Sequence, residues 1–340
     1  MSTPHHESRL NAAILQLEQG QHLSEEHSFH CLDDILSGHC DTDDIRTLLG
    51  LLYHSGDSVA TLVGFSKALL EHARPLPIKG PFIDVCGTGG GPADRYNIST
   101  TVAFILASQG IPVAKHGNYG SRKPNGSFNF LEALEIPFDG SDEDLISQFE
   151  THHCCFLFAR LFHPAMAQVA PIRKTLDHPT IFNKIGPLCN PARPPYQLIG
   201  TPSIQTAEQL SQAVQQLGTQ RAMIVVGGDG SDELCVKTEN IIFEVSPTHI
   251  QRQSVDCKEW GLNSEDYDKG DATQNAHLFR SVMSAQDHQH PMSAHAALNA
   301  GLASYCMGKA DTIKDGTFSA LSAIQSGATW RHYTAMSTQN

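Results

Sequence analysis

The feature that most constrains this chain is a short apolar strand running straight into glycines, and it occurs twice. Phe82-Ile83-Asp84-Val85-Cys86 leads into Gly87-Thr88-Gly89-Gly90-Gly91, and Ala222-Met223-Ile224-Val225-Val226 leads into Gly227-Gly228. Between them, residues 98–108 read as a helix, and Val113-Ala114-Lys115 begins another strand that closes on His116-Gly117-Asn118. Strand, glycine turn and helix in alternation predict an α/β fold with a mostly parallel central sheet flanked by helices. In such sheets ligands gather beyond the carboxyl ends of the strands, which is where all these turns fall.

Residues 9–72 have a different texture. Leu10, Ala13, Ile14 and Leu17 share one helical face, as do Ile45, Leu48, Leu49 and Leu52, so this stretch is expected to be helical throughout. Ser24 before Glu25 and Glu26 is a candidate helix start, and Gly38 and Gly56 mark helix ends. Arg74-Pro75-Leu76-Pro77 breaks the pattern and is the expected hinge between two domains.

Composition excludes several classes. The 340 residues carry 23 Lys+Arg against 36 Asp+Glu, a net charge of −13. A nucleic-acid partner is not expected, because neutralising phosphates takes a basic face. Charged residues make up 17% of the chain, below the usual ~25%, which argues against broad disorder. No apolar run approaches the ~20 residues of a membrane span, and the opening Met1-Ser2-Thr3-Pro4-His5-His6-Glu7 has no signal-peptide character. The nine cysteines form no C-x-x-C pair, so reduced thiols in a cytoplasmic protein are expected rather than a disulfide framework. The pairs His5-His6 and His152-His153 lack partners at helical spacing, and no structural metal site is expected from them.

Four groups of residues carry chemistry. The glycines at 87–91 let backbone N–H groups approach an anion, although such a turn can also be a simple tight connection; neither a Walker A loop nor G-x-G-x-x-G is matched. Asn97-Ile98-Ser99-Thr100-Thr101 places hydroxyl and amide groups at a helix start, suited either to phosphate binding or to N-capping by Asn97 or Ser99. Lys115-His116-Gly117-Asn118 ends a strand with a cation, an imidazole and an amide, or is a solvated strand end. Ser231-Asp232-Glu233 offers adjacent carboxylates for Mg2+, whose remaining ligands are commonly phosphate oxygens and water, or else opens an acidic helix.

Taken in order along the chain, these motifs resemble the anthranilate phosphoribosyltransferase family, within the wider class that includes pyrimidine nucleoside phosphorylases. The likeness runs from Leu32-Asp33-Asp34-Ile35-Leu36-Ser37-Gly38 to Gly308-Lys309-Ala310-Asp311. It includes Phe182-Asn183 through Gly186-Pro187, and Phe158-Ala159 with His163-Pro164-Ala165-Met166 leading to Ile172-Arg173-Lys174. The resemblance implies a small helical domain over 1–73 with a central helical segment about 165–190. It implies a large α/β domain over 78–164 and 191–340 that binds phosphoribosyl pyrophosphate (PRPP). It further implies transfer of the phosphoribosyl group to anthranilate in tryptophan biosynthesis, Mg2+ as cofactor, no membrane or nucleic-acid partner, and a homodimer formed through the small domain.

Carried across residue by residue, the resemblance assigns Gly87, Thr88, Gly89, Gly90, Asn97, Ser99 and Thr100 to the pyrophosphate, with Ser127 among the PRPP-binding residues. It assigns Lys115 to phosphate, and Ser99, Asp232 and Glu233 to two Mg2+ ions. His116, Asn118, Arg173 and Pro187 would line the acceptor's path, with Lys115, Arg173 and His116 nearest the chemistry. The chain departs from the family pattern at Gly91, Arg122, Lys123 and Asn129, where Asp, two serines and Asp are usual. These departures leave open a paralogue with a different aromatic acceptor or without transfer activity. A nucleic-acid-binding non-enzyme and a nucleoside phosphorylase fit the net charge and the Arg173 and Phe182–Pro187 segments less well.

Overall fold

The computed structural model describes residues 9–89, 95–120 and 124–337. In chain order these form α1 (Arg9–Glu18), α2 (Glu25–Leu36), α3 (Thr42–Ser55), α4 (Val59–Glu71), β1 (Ile83–Gly87), α5 (Ile98–Ser108), β2 (Val113–Gly117), α6 (Ser127–Ala133) and α7 (Asp142–His152). There follow β3 (Cys154–Phe158), α8 (Ala159–Phe162), α9 (Ala170–Thr175), α10 (Ile181–Ile185), β4 (Tyr196–Gly200), α11 (Ile204–Gln216) and β5 (Arg221–Val226). The chain ends with β6 (Asn240–Val245), β7 (Ile250–Val255), α12 (Ala272–Met283), α13 (Pro291–Cys306), α14 (Ile313–Gln325) and α15 (Ala328–Ser337). Two compact units divide it: Met1–Pro75 with Arg160–Pro191, and Leu76–Ala159 with Ala192–Asn340.

The first unit is helical for the reasons its sequence offers. Ser24 caps α2 by accepting from His27 N, with Glu25 and Glu26 in the first turn where the helix dipole favours negative charge. Ser58 caps α4 through Thr61 N. Ile45, Leu48, Leu49 and Leu52 of α3 are all buried, as a 3.6-residue period requires.

In the second unit seven strands form one sheet in the order β3-β2-β1-β4-β5-β6-β7. The five strands from β3 to β5 are parallel, and β6 and β7 add an antiparallel edge. The expected mostly parallel sheet is therefore present, with the Ala222–Val226 run inside its fifth strand. β1 has β2 on one side and β4 on the other, so the strand order reverses there and leaves a crevice at the carboxyl edge. Gly87 and Gly200, the last residues of β1 and β4, face each other across that point.

A large apolar cluster built from α5, α13 and the strands lies under the edge. Helix α13 is buried almost all round, and α14 meets it backbone to backbone. A methyl group on Gly301 would lie 2.4 Å from Thr317 N, and one on Gly316 would lie 2.7 Å from Gly301 O. No side chain fits there. Gly301→Ala is expected to cost about 1–3 kcal/mol, read as a lowered urea midpoint; an unchanged midpoint would contradict this packing.

Candidate active site

The switch point is crowded because it lacks side chains. A methyl on Gly87 would sit 2.6 Å from Asp232 Oδ2, and one on Gly200 would sit 1.6 Å from the Asp232 carbonyl oxygen. Both strand ends therefore open onto the 231–233 segment, which lies over them. That segment is a turn rather than the start of a helix, so the capping alternative for its acids does not apply. Thr88 N donates to Gly200 O at 2.8 Å, tying the turn after β1 to the end of β4. Gly89 continues that turn with φ 67°, a left-handed conformation that favours glycine.

Helix α5 begins beside this turn, and no side chain caps it. Asn97 does not cap because its amide is occupied elsewhere: Nδ2 donates to Asn125 O at 3.3 Å, and Oδ1 accepts from Asn275 Nδ2 at 3.1 Å. Asn275, 1% exposed, also donates to Arg95 O at 2.8 Å. The first turn of α5 thus keeps N–H groups unclaimed by side chains, which an anion can take. Ser99 is half-buried there, while Thr100 is buried.

Lys115 is 2% exposed. Its ammonium donates to Val85 O and, at 3.2 Å, to Ser99 Oγ. Burial lowers its affinity for a proton, and the Asp84 carboxylate opposes that shift. Asp84 also accepts from His116 N at 3.2 Å, which fixes the end of β2. His116 is buried and Asn118 exposed. Ser127 Oγ donates to Asn118 O at 3.2 Å, in space that a side chain on Gly117 would fill. Asn129, where the family usually has Asp, accepts from Gly120 N and Gly126 N, both at 3.0 Å. The acceptor oxygen does that work without a charge. Gly90, Gly91, Arg122 and Lys123 lie outside the described residues.

The acids form an incompletely compensated pair. Arg95 reaches Asp232 at 3.2 Å. Burial, reinforced by neighbouring Asp232, pushes the Glu233 carboxyl up to about 8. A divalent cation is the group that would remove this cost, so the donor set fits Mg2+. Among the described residues no cluster of three or more His, Cys, Asp or Glu side chains stands ready to bind metal; phosphate oxygens and water would complete the shell. His295, held neutral by burial with its imidazole pushed down to about 4, lies 3.4 Å from Glu233 Oε1.

In the helical unit Arg173 is half-buried, and burial lowers its pKa from an ordinary arginine's, though a guanidinium stays charged. It lies over the Phe182 ring, 5.2 Å from the centroid, and its Nη2 donates to Asn183 Oδ1 at 3.4 Å. Asn183 Oδ1 also accepts from Thr180 N, capping α10. Lys184 pairs with buried Asp57 at 2.8 Å, and Pro187 is buried in the following 3-10 turn. The sequence reading missed Arg95, Asn275, Tyr267 and His295. Only Arg95, a lone cation just before the α5 start, carried a local signal.

Residues 79–330 match the family described as "Glycosyl transferase family, a/b domain". An anthranilate phosphoribosyltransferase of Halalkalibacterium halodurans is 35% identical over 315 residues, covering 91% of each chain. The crystal structure of the Thermus thermophilus anthranilate phosphoribosyltransferase is 31% identical with a TM-score of 0.88, covering 96% of this chain and 98% of that one. The Saccharomyces cerevisiae enzyme in complex with PRPP and Mg is 23% identical with a TM-score of 0.88, covering 97% of each chain, and shares the fold.

The two switch-point glycines predict a contrast. Gly200→Ala drives a methyl group into backbone and should destabilise the fold by about 1–3 kcal/mol, read as a lowered urea midpoint. Gly87→Ala meets only a carboxylate that can swing aside, so stability should hold while Mg2+ binding, followed by calorimetry with PRPP present, weakens. Equal behaviour of the two variants would contradict this geometry.

Proposed function

This chain belongs to the anthranilate phosphoribosyltransferase family, and on that premise we propose that it transfers the 5-phosphoribosyl group from PRPP to anthranilate, releasing pyrophosphate. The observation that carries the reading is the switch point itself. Unclaimed N–H groups of α5, the Ser99 hydroxyl, one buried ammonium and two acids in need of a cation belong to one unit at one sheet edge.

In this reading Gly87, Thr88, Gly89 and the start of α5 receive the pyrophosphate, with Ser99 and Ser127 as hydroxyl donors. Lys115 holds Ser99 in place and adds positive charge from below, acting as a positioning residue. Asn97 and Thr100 shape the helix start from within. Asp232, Glu233 and Ser99 would hold Mg2+, which when bound offsets charge on the leaving pyrophosphate. The amine of anthranilate is neutral at pH 7, so no strong base is required. Alignment behind the ribose C1 and stabilisation of the leaving group supply the acceleration.

Arg173 offers the acceptor carboxylate a planar fork that a lysine would reproduce poorly. Phe182 and Asn183 hold that fork in one orientation within the helical unit, and Pro187, His116 and Asn118 are the other residues this reading assigns to the acceptor. The reading includes a division of labour between the small helical domain and the large domain, and a cytoplasmic homodimer joined through the former. Leu15 on α1 and Tyr53 on α3, each 48% exposed, are apolar side chains that such an association would cover.

Purified chain with PRPP, Mg2+ and anthranilate should consume the anthranilate fluorescence; no loss of signal would refute this acceptor. In the same assay Arg173→Ala should raise the anthranilate KM about tenfold or more, as loss of a charged hydrogen bond does, and leave the PRPP KM nearly unchanged. Equal losses for both substrates would remove Arg173 from the acceptor's path. Asp232→Asn should shift the Mg2+ dependence of the rate to higher concentration, and an unaltered Mg2+ curve would remove Asp232 from the metal.

A further inference from the structure

We propose that His295 joins Glu233 as a nitrogen donor to the cation, so that this chain's site prefers a first-row transition ion over Mg2+. The inference rests on the PRPP reading and goes beyond the carboxylate site to a residue which that reading does not use. His295 lies in the first half of α13, a helix that packs against β4 and β5. Its Nδ1 is 2.7 Å from the Tyr267 hydroxyl. Its Nε2 is buried, makes no well-aligned hydrogen bond, and lies 3.4 Å from Glu233 Oε1, with the Leu234 carbonyl also beside the ring. The two side chains are only 12% and 16% exposed.

An imidazole fixed by a hydrogen bond at one nitrogen and open at the other is the arrangement of a metal-binding histidine. Nε2 and Oε1 lie close enough to share a ligand yet make no aligned hydrogen bond with each other. Two donors each about 2.1 Å from one cation stand roughly 3.0–3.4 Å apart, the range between octahedral and tetrahedral angles. A simple hydrogen-bonding role for His295 would leave Nε2 poorly used, in a setting where buried polar atoms are normally satisfied. A shared cation satisfies it and the Glu233 oxygen together.

Nitrogen donors shift selectivity away from Mg2+, which favours oxygen, and towards transition ions. Mn2+ binds most weakly of that series and is therefore the conservative probe. The experiment uses the full chain with inorganic pyrophosphate. Mn2+ uptake is followed by loss of the free-ion EPR signal, Mg2+ is added as competitor, and pulsed EPR reports nitrogen coupling to the bound ion. The wild-type chain should bind Mn2+ at least about tenfold more tightly than Mg2+ and show coupling to a nitrogen. In His295→Leu the coupling should vanish, and Mn2+ affinity should fall about tenfold while Mg2+ affinity changes little. Tyr267→Phe should keep the coupling and weaken Mn2+ by a smaller factor.

Bound Mn2+ without nitrogen coupling in the wild-type chain overturns the proposal whether or not the variants fold. Equal weakening of both ions in His295→Leu also overturns it, leaving a structural role. If the wild-type chain takes up no divalent ion with pyrophosphate, the PRPP reading fails first and this proposal with it.

Discussion

The close approach of the 231–233 turn to the ends of β1 and β4 is the constraint on which the rest of the site depends. It exists because Gly87 and Gly200 are opposite each other at the point where the strand order reverses, and because neither has a Cβ. A side chain at Gly200 would displace the Asp232 backbone from the sheet edge, and one at Gly87 would displace its carboxylate. The crevice is a property of topology; its use for charged groups is a property of these two residues.

Electrostatics then follows from burial. Lys115 is enclosed among strands, so its ammonium must be compensated, and Val85 O, Ser99 Oγ and the nearby Asp84 do so. Asp232 and Glu233 are nearly as enclosed, yet Arg95 is the cation within ion-pair distance of Asp232. Burial, with Asp232 beside it, disfavours the charged form of Glu233, and its raised pKa expresses that imbalance. A site with more negative charge than it can stabilise alone is suited to a cation arriving with its own phosphate ligands. In the helical unit the charge is of the other sign: Arg173 is a cation held by an aromatic face and an amide oxygen.

Much of the architecture was legible because local patterns carry it. The α3 face at Ile45, Leu48, Leu49 and Leu52, the Ser24 cap, the α5 span and the strand at 222–226 all follow from period and punctuation. Strand β3, Cys154-Cys155-Phe156-Leu157-Phe158, was not read: it is a five-residue apolar run without a glycine turn, which periodicity cannot distinguish from a buried helix segment. β7, Ile250-Gln251-Arg252-Gln253-Ser254-Val255, is a largely polar edge strand specified by its pairing with β6. In the site, the acids and Lys115 stood in recognisable local settings. Asn275 and His295 did not, since their roles depend on partners distant in the chain: Asn97 is 178 positions from Asn275, and Glu233 meets His295 only once α13 has packed. The sequence also grouped Asn97 and Thr100 with the ligand-facing residues of the helix start, whereas the fold buries both.

The central claim is that one sheet edge binds a doubly phosphorylated sugar only with a cation in place. Calorimetric titration of PRPP into the wild-type chain, with divalent ions present and then removed by chelator, tests it most directly. The account predicts saturable binding with the ion and its near-complete loss without it. Equal binding in both conditions, or none in either, would contradict it.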